Sequence, residues 1–254
     1  MMLGAQNNLQ KYVLRLGDNA LILGQQVSAW CGHAPALEED IAFANVALDL
    51  IGQATNWLGY AAALNEQPIT ADDLAFLRDE RAFSNVLLVE QPNTDFGHSL
   101  MRQFLFDCWH YPMLEALTKS KDAALAAIAQ KSVKEVAYHL ERSTDLIIRL
   151  GDGTDESHRR MQEVLKALWR FTGELFETDA LDVIMHEQGI GPDLEQVRVV
   201  FQAHIDKVLP LATLSLPEKP LMRFGGKAGL HSELMGPLLA EMQYLQRAYP
   251  GASW

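Results

Sequence analysis

From residue 9 onward the apolar positions recur every three or four residues, and no segment sustains the two-residue alternation, rich in β-branched side chains, of a strand. That repeat constrains the chain more than any other feature: it predicts helices and no sheet. Leu9, Tyr12, Leu16, Ala20, Leu23, Val27 and Trp30 share one stripe of a first helix over about 9–31. Gly32 suits its C-terminal end, while Glu38, Glu39 and Asp40 favour the positive end of a second helix running to about 64. "TADD" at 70–73 has the form of a capping box and opens a short helix ending near "RDERAF". Long helices follow over about 95–119, with a kink at Pro112, and over about 122–150. Thr154 caps another that reaches about 176, and shorter ones cover about 178–187, 192–208 and 232–247. Four long helices with smaller additions and a C-terminal helix make an all-α four-helix bundle.

No Pro/Gly/Ser linker divides the 254 residues, so 1–254 reads as one domain. The alternative is a bundle with an arm, about 209–254, packing on the bundle or on a partner. "LSLPEKPLMRFGGKAGLHSE" at 214–233 is the longest irregular stretch and reads as a flexible loop against a partner, since "GGK" lacks the rest of a phosphate-loop pattern. No run of eighteen apolar residues marks a membrane span, and the N-terminus lacks the pattern of a signal peptide. Two cysteines, Cys31 and Cys108, exclude a disulfide framework and point to a reduced cytoplasm. A formal net charge of −12 without a basic stripe disfavours nucleic acid.

The second helix carries the informative polar residues. Between Ile41 and Leu58 it is apolar except for Asn45, Asp49, Gln53, Thr55 and Asn56. Asn45, Asp49 and Gln53 stand four apart, one polar stripe on an apolar cylinder, and are expected to face inward. The fourth long helix repeats the spacing with Glu135 and His139, extended by Ser132 and Ser143. The first helix offers Asp18, and the third offers Asp107 between Gln103 and His110. One carboxylate per long helix, two of them with a partner four residues on, is close to the ground plan of di-iron bundles. It departs from that plan in two ways. The spacing is four rather than three, and Gln53 stands where a second His belongs. A neutral amide is a poor iron ligand and Asp reaches less far than Glu, so a metal-free polar network explains these residues better. The alternative is a self-sufficient di-metal carboxylate oxidase using Asp18, Asp49, Asp107, Glu135 and His139 as ligands.

Taken together, "LRLGDNALILGQ", "WCGHAPALEEDIAFANVALDLIGQA", "RDERAFSNVLLVEQPN", "KEVAYHLERS", "LGDGTD", "LWRFTGELF" and "GLHSELMGPLLAEMQYLQRAYPG" resemble the C subunits of bacterial phenylacetyl-CoA epoxidases. The resemblance runs from about residue 9 to the C-terminus. It implies a ferritin-like fold and a chain without a working centre of its own. Such a chain would bind no cofactor and would serve as structural partner to a homologous di-iron catalytic subunit that oxidises the ring of phenylacetyl-CoA. It further implies a reductase subunit with flavin (FAD) and an iron–sulfur cluster, fed by NADPH. It places Ala82, Phe83, Ser84 and Asn85, with Val183, Ile184 and Met185, near the acyl-CoA at the subunit interface. By composition alone, the adjoining "RDER" reads as a solvated helix end with mutual ion pairs.

Overall fold

The computed structural model describes residues 7–252, and among them there are helices and turns but no strand. Helix α1 (Asn8–Ser28) and helix α2 (Leu37–Ala63) form the first hairpin. A crossover follows through α3 (Ala71–Phe76) and two 3₁₀ turns, Glu80–Ala82 and Leu87–Glu90. Helices α4 (Phe96–Leu117) and α5 (Ala123–Gly151) form the second hairpin, and α5 packs on α2 to close the four-helix bundle. Two short-loop hairpins joined by one long crossover give the ferritin-like connection. Around this core, α6 (Asp155–Leu168) packs on α4 and α5, α7 (Ala180–Glu187) on α1, α8 (Leu194–Leu211) on α4, and α9 (Met235–Ala248) on α3.

Local chemistry sets the helix starts. Asn7, Asp95 and Asp122 each accept a hydrogen bond from a backbone N–H in the first turn of α1, α4 and α5. Thr70 and Thr154 form reciprocal capping boxes at α3 and α6. Tyr12, Phe43, Trp57, Phe104 and Phe106 are fully buried in one continuous core, each stabilising the fold by roughly 1.5–3 kcal/mol relative to exposure.

Several helix ends differ from the periodicity. The first helix stops at Ser28, because Trp30 to His33 turn and Gly32 takes a left-handed φ of +85°. The helix after Thr154 stops at Leu168 instead of about 176 and breaks into 3₁₀ turns, Trp169–Phe171 and Gly173–Phe176. There the Thr172 hydroxyl donates to the Trp169 carbonyl at 2.8 Å, which competes with the helical ladder.

The stretch expected to be a flexible loop is fastened by two buried carboxylates. Glu174 accepts backbone N–H groups of Leu87, Gly225 and Lys227 at 2.7, 2.9 and 3.2 Å. Glu90 accepts from Asn85 Nδ2, Ser232 N and Ser232 Oγ at 2.9, 2.8 and 2.6 Å, and from His231 Nδ1 at 2.6 Å. The chain there lies so close to the crossover that a Cβ at Gly226 would sit 2.2 Å from the Asn85 carbonyl oxygen.

Candidate functional site

Helices α2 and α5 run antiparallel, and their facing polar residues form a ladder. His139 Nε2 donates to Asp49 Oδ2 at 3.0 Å, and Gln53 Nε2 donates to Glu135 Oε2 at 3.0 Å. Tyr60 extends the ladder at one end, its hydroxyl donating to Asp122 at 2.7 Å, and Arg142 pairs with Glu39 at the other. Residues four apart lie on one helix face, so two antiparallel helices bearing the same spacing meet crosswise. The first member on α2 meets the second on α5, and the reverse.

The inward stripe on α2 is not uniform. Gln53 is buried, Asp49 keeps 37% of its side chain exposed, and Asn45 faces solvent. Each four-residue step overshoots a full turn by about 40°, so the stripe sweeps about 80° around the helix from Gln53 to Asn45. Asn45 therefore falls outside the cluster.

Asp107 of α4 lies fully buried beside the ladder. It accepts Gln103 Nε2 at 2.7 Å and Ser143 Oγ of α5 at 3.0 Å. Burial pushes its carboxyl up to about 7, with the nearby His139 pulling the other way. Burial lowers His110 to about 3, helped by the charge of His139, so this ring is neutral at physiological pH.

Asp18 belongs to a different contact. Both of its oxygens are held by the Arg78 guanidinium, and Ser84 N donates to Oδ2 at 3.0 Å. Arg78 in turn is buried, donates to the Leu74 and Ala82 carbonyls, and lies over the Phe83 ring. It comes from the "RDER" run, whose first residue thus belongs to a core ion pair and not to a solvated helix end. Gln53, Asp107 and His139 are buried where α2, α4 and α5 meet, with the half-buried Asp49 and Glu135 at their edge; Asp18 does not join them.

This donor set does not fit a di-iron centre. Asp18 already faces a cation, Glu135 is met by an amide, and Asp49 is met by an imidazole N–H. Among the described residues no group of three or more His, Cys, Asp or Glu side chains is arranged to hold a metal ion. Oε1 of Gln53 and Nδ1 of His139 are buried without a protein partner, positions of the kind that buried water serves.

A second feature lies at the crossover. Ala82, Phe83 and Ser84 line a cleft of about 470 Å³ with Leu14, Leu181 and four cations. Arg15 pairs with Asp179 at 2.5 Å and Asp182 at 3.1 Å, and Lys227 pairs with Asp182 at 2.7 Å. Lys11 and Arg81 are exposed and have no acidic partner among the described residues. Asn85 turns away to Glu90, Met185 is buried in the core, and Val183 and Ile184 lie outside the cleft lining. Leu181, one turn earlier on α7, is the residue of that helix that reaches the cleft.

Sequence reasoning missed Arg78, Glu90, Glu174 and His231. A signal was present for Glu90, a lone charge closing the apolar run Val86–Val89. Arg78 sits among other charges and carries no such mark.

Fold and site together define a ferritin-like helical bundle whose facing helices α2 and α5 are joined by paired polar side chains. The chain belongs to the phenylacetic acid catabolic protein family, whose model matches residues 1–254. It is 50% identical over 248 residues to the C subunit of the 1,2-phenylacetyl-CoA epoxidase of Escherichia coli (strain K12), covering 98% of this chain and 100% of that protein. Among the described residues no helix is long and apolar enough to cross a membrane.

Proposed function

We propose that this chain is a non-catalytic structural subunit of a multicomponent oxygenase that epoxidises the ring of phenylacetyl-CoA in aerobic phenylacetate degradation. The observation that carries this reading is the crosswise pairing of Asp49 with His139 and Gln53 with Glu135, in a chain whose relative is named as a subunit of such an enzyme. Chemistry then resides in a homologous di-iron subunit, with electrons delivered from NADPH through the FAD and iron–sulfur reductase of the complex, in the cytoplasm. This chain's own residues hold a rigid bundle against that subunit. Its contact with the acyl-CoA is placed at Ala82–Ser84, where the free cations Lys11 and Arg81 suit the phosphates of coenzyme A and Phe83 and Leu181 offer apolar cover.

Reconstitution with and without this chain tests the reading. The chain alone is expected to turn over no phenylacetyl-CoA and to retain no stoichiometric iron after loading. The full complex should keep its turnover when His139→Ala is introduced here. Two irons per chain by elemental analysis, or loss of turnover confined to that variant while the complex stays assembled, would overturn it. Arg81→Ala and Lys11→Ala should raise the KM for phenylacetyl-CoA of the complex and leave kcat unchanged; an unchanged KM removes the acyl-CoA contact.

A further inference from the structure

The outward stripe of α2 carries no charge. Leu37, Ile41, Leu48, Gly52, Thr55 and Gly59 fall along it at the helical repeat. Leu37, Ile41 and Leu48 are 70%, 52% and 71% exposed. A Cβ added at Gly52 or Gly59 would meet nothing within 4 Å. From Ile41 to Gly59 the helix has a single charged residue, Asp49, and that one is paired with His139. Over its 27 residues the face is about 40 Å long. A solvated helix of a protein with a formal net charge of −12 would be expected to place charges there, and an uncharged face of this length with three exposed large apolar side chains, broken only by the neutral Asn45 and Thr55, marks an interface.

The rim of the face has a polarity. The α2–α5 ladder places Lys131 and Lys134, exposed on α5, beside the Gly52–Gly59 half. Glu38 and Glu141 flank the Leu37–Leu48 half, and none of these four is in an ion pair among the described residues. From these features we infer that the outward face of α2 docks an α-helix of a different, homologous chain. The contact line of that helix is uncharged, with large side chains over Gly52 and Gly59, basic groups beside Glu38 and Glu141, and acidic groups beside Lys131 and Lys134. A second copy of this chain laid antiparallel would match the rim, but it brings its own net charge of −12 against the first, so a less acidic chain fits better. The inference rests on the reading of the chain as a subunit and names the surface that does the assembling.

The test is association of the full chain with the homologous catalytic subunit, followed by sedimentation and by titration. Leu48→Glu buries a charge at the centre of the contact and is expected to weaken binding by about 30-fold or more. Because Leu48 is exposed, the thermal midpoint of the lone variant should match that of the parent chain. Val199→Glu, at a 62% exposed apolar position on α8, should bind as the parent does. If Leu48→Glu binds as tightly as the parent chain, this surface is wrong and the subunit reading stands. If the parent chain itself does not bind, both fall. A lone chain that sediments as a dimer, and becomes a monomer with Leu48→Glu, assigns the face to a second copy and overturns the inference.

Discussion

Asp49 on α2 and His139 on α5 meet at 3.0 Å, and one turn along the same pair of helices repeats the contact with donor and acceptor exchanged, Gln53 giving to Glu135. The two rungs hold the hairpins in register at mid-bundle. A double-mutant cycle with Asp49→Ala and His139→Ala should show a coupling of about 1 kcal/mol in denaturant unfolding. Strict additivity would mean that the rung contributes nothing beyond packing.

The amide at position 53 already donates to Glu135, and a histidine in its place would lack a full set of carboxylate neighbours. Asp18 is held by Arg78 away from this cluster, so a histidine placed at position 53 still finds one carboxylate too few around it. Gln53→His is therefore expected to bind no stoichiometric iron, as read by elemental analysis after anaerobic loading. Recovery of two irons in this single variant would show that Arg78 gives way.

Asp107 gives the bundle a pH dependence of definite sign. Its carboxyl is raised from 3.8 to about 7 by burial, against the pull of His139, so the folded chain holds a proton there that the unfolded chain releases. Stability contributed by this site therefore falls as pH rises from about 4 through 7. Asp107→Asn can keep both hydrogen bonds, accepting from Gln103 and donating to the Ser143 hydroxyl. It should gain about 1–3 kcal/mol over the parent at pH 8 and little at pH 4. A thermal-unfolding series across that range checks the difference, and a constant offset at all pH values would contradict it.

His231 behaves in the opposite sense. Nδ1 faces the Glu90 carboxylate and Nε2 faces the Phe83 carbonyl at 3.0 Å; both are acceptors, so the ring donates from both nitrogens and is cationic. Burial opposes the charge, but Glu90, the Phe83 carbonyl and the more distant Glu80 outweigh it and raise the pKa above its ordinary value. Its contribution is complete below the unfolded value of about 6.5 and is lost as pH rises through the raised folded value. His231→Gln should cost about 1–2 kcal/mol at pH 6 and less at pH 9. Hydrogen exchange of Leu230–Ser232 in the two chains reports the difference directly.

Most of the architecture is legible in the sequence because long amphipathic helices announce themselves by period and cap. The Thr70, Thr154 and Asp122 starts need nothing beyond neighbouring residues. The helix after Thr154 ends early where the Thr172 hydroxyl takes the Trp169 carbonyl, and what a local pattern does not hold is the distant contact beside it, Glu174 turned toward Leu87 and Gly225. Asn45 escapes a straight-stripe reading of α2 because a four-residue repeat winds around the helix. Asp18 escapes it too, since its partner, Arg78, lies 60 residues on in a run whose composition reads as solvent-facing.

The carboxylates of Glu90 and Glu174 also decide how the partner surface can be mapped. Each buries a charge on the crossover side and draws all but one of its donors from residues 225–232. A chain cut near 209 would leave Glu174 with only the Leu87 N–H and Glu90 with only Asn85 Nδ2, each loss of the other donors costing several kcal/mol. Deletion fragments of this molecule would then report collapse of the whole bundle, whatever region binds the neighbouring subunit. Single substitutions at the surface, made in the intact chain, are the ones whose effects can be read as assembly.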